Sequence, residues 1–287
     1  MCENIKPTNH EIIKKIKQKL INYDDNPKVV IEKIKYNDKT FNLIQEGFLI
    51  TGTKQRVVIK FLEKALKNNK DITTLVYSGT ANGFGAVATA FGAYKFNLKS
   101  IVFISGHDED TRQINTLHAL NSKVYLCETY NFAKYFKYKK TDDKNNKTKK
   151  KYFIIPMGLN DDNHVMIDLL SKQIKEAIKD TSLENNTKKR FWLVAGSGGI
   201  LMSLYLLFPT SEFFIYLTGH GRHKQKVIKW INQHKNIHIL KQENINVDDI
   251  PYSTVKDYDD YIWHYVKKYA KDGDYIWNVS SDDYLFL

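Results

Sequence analysis

Short apolar runs alternate with segments of helical period along most of the chain. Apolar runs over 73–77, 100–105, 124–127, 153–155, 190–195, 213–217, 237–240 and 275–279 are predicted strands. Between them, 55–67, 83–93, 111–120, 165–178, 200–207, 226–233 and 258–269 repeat their apolar positions every three to four residues and are predicted helices. Strand and helix alternating in this way predict a parallel sheet with crossover helices, the α/β class.

The chain starts differently. Thr8 and Glu11 form a capping box, after which Ile12, Ile13, Ile16, Leu20 and Ile21 share one helical face. The run Asp24-Asp25-Asn26-Pro27 ends that helix, and short strands are expected over 29–34 and 40–44. A stretch over 138–151, rich in Lys, Asn and Asp, has almost no apolar residues and reads as a loop. No internal repeat is evident.

Composition narrows the class. The 287 residues are 42% hydrophobic and 13% aromatic, enough for a real core and too apolar for a disordered chain. No apolar run reaches the length of a membrane span, and Met1 to Pro7 carry no apolar signal core, so a soluble, cytoplasmic protein is expected. Cys2 and Cys127 make neither a disulfide framework nor a metal-ligand spacing. The net charge of +12 comes mostly from Lys spread along the chain, not from clustered Arg. That distribution fits an AT-rich coding bias better than a built nucleic-acid surface.

Three places carry chemistry. In Gly52-Thr53-Lys54-Gln55-Arg56 a glycine turn delivers a lysine to the first turn of a helix. The positive end of the helix dipole disfavours an ammonium there and suits a neutral amine or imine. Taken alone, a lysine in so lysine-rich a chain is a solvated side chain. The second place is Ser78-Gly79-Thr80-Ala81-Asn82-Gly83, after a buried strand and before a helix. Its backbone amides and hydroxyls form a ready anion site, and Asn82 can bond an aromatic oxygen. The third is Gly196-Ser197-Gly198-Gly199, again between strand and helix, where glycines let the backbone approach a phosphate. Either loop on its own could be a plain tight turn. No Gly-Lys-Ser/Thr follows a loop, and no acidic residue stands at dinucleotide spacing, so a P-loop and a Rossmann site are poor fits.

Lysine at a helix start, then an Asn-containing loop, then a GxGG loop before a helix: this order resembles the fold type II pyridoxal-phosphate (PLP) enzymes, the superfamily of cysteine synthase, the tryptophan synthase β chain and aminocyclopropane-carboxylate deaminase. The resemblance covers roughly residues 46–207. It implies two three-layer α/β/α domains with mostly parallel sheets, a large PLP-binding domain of 1–55 and 156–287 and a small inserted domain of 56–155. It implies PLP as cofactor and a homodimer. By the same resemblance Lys54 would form the internal aldimine and move a proton at the substrate Cα. Asn82 would bond the phenolic oxygen, Gly196, Ser197, Gly198 and Gly199 the phosphate, and Ser280 or Ser281 the pyridine nitrogen. Ser78, Gly79, Thr80, Ala81 and Gly83 would hold the substrate carboxylate. Two positions depart from the pattern. Ile200 stands where the family's phosphate loop ends in Thr or Ser, and Ala81 stands where deaminase-like members have serine. The chain is also short for the superfamily.

The function implied is a PLP-dependent lyase or transferase for a small amino acid, by elimination, β-replacement or deamination. Two other readings stand beside it: a non-catalytic relative that binds a partner or nucleic acid, and a PLP enzyme acting on a polymer-attached amino acid. His107, His220 and His223 read as polar turn residues, and Tyr258, Tyr261, Trp263, Tyr269 and Trp277 as packing.

Overall fold

A computed structural model describes residues 2–7, 9–20, 23–68, 70–80, 83–105, 112–127, 151–156, 165–185, 187–218, 221–241, 243, 245, 247–256 and 258–281. Asn82, Ala81, His107, His220 and most of the polar loop lie outside the described residues.

In chain order the strands are β1 (Cys2–Asn4), β2 (Ile31–Tyr36), β3 (Lys39–Gln45), β4 (Ile72–Thr80), β5 (Lys99–Ser105), β6 (Lys123–Cys127), β7 (Lys151–Ile154), β8 (Arg190–Ala195), β9 (Glu212–Leu217), β10 (Ile237–Ile239) and β11 (Tyr275–Asn278). The helices are α1 (His10–Lys19), α2 (Gln55–Asn68), α3 (Gly85–Lys95), α4 (Arg112–Ala119), α5 (Val165–Ala177), α6 (Gly199–Leu207), α7 (Gly221–Ile231) and α8 (Tyr261–Tyr269). The chain divides into two compact units, one of Met1–Asp25 and Val57–Asp161, the other of Asn26–Arg56 and Asp162–Leu287.

The first unit holds a sheet in the order β1-β6-β5-β4-β7, parallel except for β1 against β6. The expected domain scheme assigned residues 1–55 to the large domain. The first 25 residues instead group with the smaller unit, because β1 adds to its sheet edge beside β6 and α1 packs on α4. A three-residue edge strand has too short a pattern to be read from sequence. Cys127, opposite Cys2 in the register, is disulfide-bonded, a single cross-link and not a framework. Helix α1 is capped by Asn9, whose Oδ1 accepts from the Ile12 N–H at 3.1 Å, and so begins later than the Thr8 capping box predicts. Helix α3 is buried along nearly its whole length. Gly92 is required there, since a Cβ would lie 2.3 Å from the Leu62 side chain on α2.

The second unit holds a sheet in the order β10-β9-β8-β11-β3-β2, parallel throughout except for β2 against β3. Phe41, Leu43, Trp192, Val194 and Ile276 from its strands and Ile262, Trp263 and Val266 from α8 form one core cluster. Trp192 stacks on Phe214 at 4.3 Å, and Trp263 meets Tyr36 edge-on at 5.2 Å. Helix α8 starts three residues after the predicted 258, which leaves Tyr258, Asp259 and Asp260 as a turn ahead of it. Helix α7 starts five residues before the predicted 226.

Candidate active site

Strands β8, β11 and β3 are adjacent and parallel, so their C-terminal ends reach the same edge of the sheet. Open α/β sheets bind their ligands at that edge. Here β3 leads to the lysine turn, β11 to Ser280 and β8 to the glycine loop.

The lysine turn is built against the end of β11. Gly52 opens a short 3-10 turn, Gly52–Lys54, with φ of +58°, and the turn runs directly into α2. A Cβ at Gly52 would sit 2.5 Å from the Val279 carbonyl oxygen and 3.0 Å from the Ser280 Cβ, so only glycine lets the turn lie this close. The Thr53 N–H donates to the Val279 carbonyl at 3.0 Å, and the Trp277 indole N–H donates to Thr53 Oγ1 at 3.0 Å. Behind the turn, Glu46 and Arg56 form a fully buried bidentate ion pair. The Arg56 Nη1 group reaches on to Asn26 Oδ1 at 2.8 Å and the Pro27 carbonyl at 2.7 Å. The segment on each side of Lys54 is therefore fixed by main-chain and charged contacts.

Lys54 itself is partly buried. Burial pushes its ammonium below the usual lysine range, and the charge of Asp259 works in the opposite direction. Asp259 is buried, with Oδ2 accepting from the Ser280 N–H at 3.1 Å and Oδ1 without a partner. Burial pushes the Asp259 carboxyl well above the usual carboxylate range, against the pull of the Ser280 and Val279 amides and of Lys54, while Asp260 adds to the rise. Sequence reasoning passed over Asp259 as part of a helix. The signal was there in Tyr258-Asp259-Asp260, two acids placed before an apolar helical run.

The structure separates the two serines proposed for the end of β11. Ser281 Oγ is hydrogen-bonded to Ser253 Oγ, whereas Ser280 is fully buried with Oγ unpartnered. Thr51 Oγ1, just ahead of the lysine turn, is likewise buried without a partner. The Tyr252 hydroxyl, which feels Asp259 and Asp260, is a further buried and unpartnered group; burial and those two charges push it above the usual phenol range.

The glycine loop follows β8. Gly198 is the N-cap of α6 with φ of +78°, and a Cβ there would lie 2.9 Å from Val227. A Cβ at Gly196 would meet the Tyr258 hydroxyl at 3.0 Å and Thr218 Oγ1 at 3.3 Å. At Gly199 the nearest neighbour would be Ser197 Oγ at 3.9 Å, so that side is open. Two hydroxyls from other segments thus border the loop.

In the other unit, Ser78, Gly79 and Thr80 end β4, and the Gly83 N–H donates to the Thr80 carbonyl at 3.2 Å. Ser78 is buried and Thr80 exposed. The ring of Tyr77 lies against Gly79 and Gly85, where a Cβ would fall 2.6 Å and 2.1 Å from its atoms. Two glycines of this loop are therefore set by packing around one tyrosine.

No family model and no curated protein sequence matches the chain. Solved structures do. An ACC deaminase homologue superposes with a TM-score of 0.68 at 14% identity, covering 96% of this chain and 97% of its own. A hydrogen sulfide-producing enzyme from Fusobacterium nucleatum gives 0.58 at 15% identity, covering 98% and 100%. Diaminopropionate ammonia lyase from Escherichia coli, in complex with an aminoacrylate-PLP azomethine reaction intermediate, gives 0.58 at 10% identity, covering 98% and 93%. The chain has the fold of the fold type II PLP enzymes. At these identities the likeness establishes architecture, and the chemistry has to be argued from this chain's own residues.

The residues of the second unit fit that cofactor. A glycine loop bordered by two hydroxyls, a lysine at the adjacent sheet edge and buried polar atoms without partners are the donor set a phosphorylated pyridine aldehyde requires.

Proposed function

We propose that this protein is a PLP-dependent enzyme acting on a small amino acid, by elimination, β-replacement or deamination. The observation that carries the proposal is the convergence on one sheet edge of Lys54, Ser280 and the Gly196–Gly199 loop, delivered by three adjacent parallel strands. Bound in such a site, PLP supplies an electron sink for the bond broken at the substrate Cα.

Lys54 Nζ would be the attachment point. Its half-buried setting favours the neutral amine, the form that attacks a carbonyl carbon and takes a proton from Cα. Gly196, Ser197, Gly198 and Gly199 would hold the phosphate by their amides at the start of α6, with Thr218 and Tyr258 adding the hydroxyls that Ile200 lacks. Asn82 would hold the phenolic oxygen. The amides and hydroxyls of Ser78, Gly79, Thr80, Ala81 and Gly83 would bind the substrate carboxylate. Substrate shape and leaving group would select among the three outcomes.

The test is visible absorption of protein purified with PLP, beside Lys54→Ala. A cofactor band in the wild type that shifts when small amino acids are added, and that is lost in the variant, supports the reading. A folded wild type that shows no band would sink it and turn attention to binding of a partner or nucleic acid.

A further inference from the structure

Loop 78–83 runs between two fixed anchors. On the entering side β4 pairs with β5 as far as Thr80 and Ser105, and Ser105 Oγ donates to the Gly79 carbonyl at 3.4 Å. On the leaving side α3 begins at Gly85. There Thr89 Oγ1 donates to the Gly85 carbonyl and the Ala88 N–H to the Phe84 carbonyl, each at 2.9 Å. Phe84, the N-cap of α3, supplies no side-chain cap to the first amides of the helix.

The end of the Tyr77 ring stands between these anchors. A Cβ built on Gly79 would lie 2.6 Å from Tyr77 Cε1 and 2.9 Å from its hydroxyl oxygen. One built on Gly85 would lie 2.1 Å from that oxygen and 3.0 Å from Cε2. Opposite edges of one ring thus touch opposite arms of the loop. Neither glycine has a positive φ, so backbone conformation does not demand glycine at either position. The ring does. Tyr77 is 4% exposed, and a rigid phenol in a close-packed interior is a spacer of fixed length. Beyond it the same arms carry Thr80, exposed, and Gly83, half-buried.

We propose that Tyr77 is a positioning residue for the substrate carboxylate: its phenol end fixes the gap between the Gly79 and Gly85 arms, and that gap aims the amides of loop 78–83 at one anion. The inference rests on the PLP reading above. The hydroxyl oxygen is the atom nearest Gly85, so the width of the gap depends on the full length of tyrosine. Amides grip an anion together only when they converge on it, and a narrower gap weakens them as a group. Preference for an amine that carries a carboxylate over a plain amine follows from that gap.

The test uses glycine and methylamine, amines with and without the carboxylate, and reads the concentration of each that half-shifts the cofactor band of the PLP-loaded protein. Glycine brings no side chain that a pocket could refuse. Carboxylate–amide bonds predict that the wild type prefers glycine by about tenfold or more. Tyr77→Phe should lose part of that preference and Tyr77→Leu nearly all of it. Affinity for PLP itself, followed by tryptophan fluorescence, should fall far less, since Lys54 and Gly196 to Gly199 belong to the other unit. Gly85→Ala approaches the same contact from the other side. It should cut the preference in the wild-type background and add little in Tyr77→Leu, where room for the Cβ has been opened. A tyrosine that only supports the fold would lower the melting temperature and the response to both amines together, leaving their ratio unchanged. That result overturns the inference while the PLP reading stands. So does a PLP-loaded wild type that responds to both amines equally or to neither, or a folded Tyr77→Leu that keeps the full preference. A folded wild type with no cofactor band overturns both.

Discussion

Glu46 and Arg56 face each other across the lysine turn with no exposed surface, Arg56 Nε donating to Oε2 and Nη2 to Oε1, each at 2.6 Å. Glu46 directly follows β3, and Arg56 is the second residue of α2. The pair therefore clamps the ten-residue arc that carries Lys54.

Breaking this clamp on one side strands a buried charge. Glu46→Ala is expected to destabilise the protein by about 3–5 kcal/mol, and Arg56→Lys by less, since a lysine keeps the charge and loses the fork. Urea unfolding followed by tryptophan fluorescence measures both. Joint replacement of the pair by apolar residues of similar volume should recover much of the loss.

The lysine turn should be a stability cost kept for function. Lys54 has its ammonium pushed down by burial, so the unfolded chain binds the proton more readily than the folded one. Its charge therefore opposes folding below the folded-state value, and stability rises as pH climbs from that value toward the ordinary lysine range. Lys54→Met is expected to raise stability at neutral pH by about 1 kcal/mol, with the gain vanishing in alkali. Thermal melts of both proteins across pH decide this; an equal melting temperature at every pH would contradict it.

Two glycines with positive φ offer a matched comparison. At Gly273, φ is +82° and a Cβ would meet nothing within 4 Å, whereas at Gly52, φ is +58° and the Val279 carbonyl stands 2.5 Å away. Gly273→Ala should cost only the backbone penalty, about 1 kcal/mol. Gly52→Ala adds a clash with main chain and should cost about 3 kcal/mol or more, with weaker PLP binding because the turn must lift off Ser280. Denaturant midpoints and PLP titrations on the two variants separate strain from site damage.

Much of this architecture was legible in the sequence. The strand at Arg190–Ala195 and the helix beginning at Gln55 start where their apolar patterns start, because both are long enough to show their period. The positions of the two glycine turns were legible too, since glycines after an apolar run mark a turn, and Gly52 and Gly198 both take a positive φ. What escaped was set by tertiary contact. Strand β1 is three residues long and gains its meaning only from pairing with β6. The setting of Asp259 depends on the amide of Ser280, 21 residues away, and the difference between Ser280 and Ser281 on a bond to Ser253. No local pattern encodes such long-range partners.

The most direct measurement is reduction of the PLP-treated protein with borohydride, followed by peptide mass mapping. A pyridoxyl-phosphate adduct found on the peptide containing Lys54, and absent from Lys54→Ala, is the result expected. An adduct scattered over surface lysines, unchanged in that variant, would contradict the assignment of Lys54 and with it the enzymatic account.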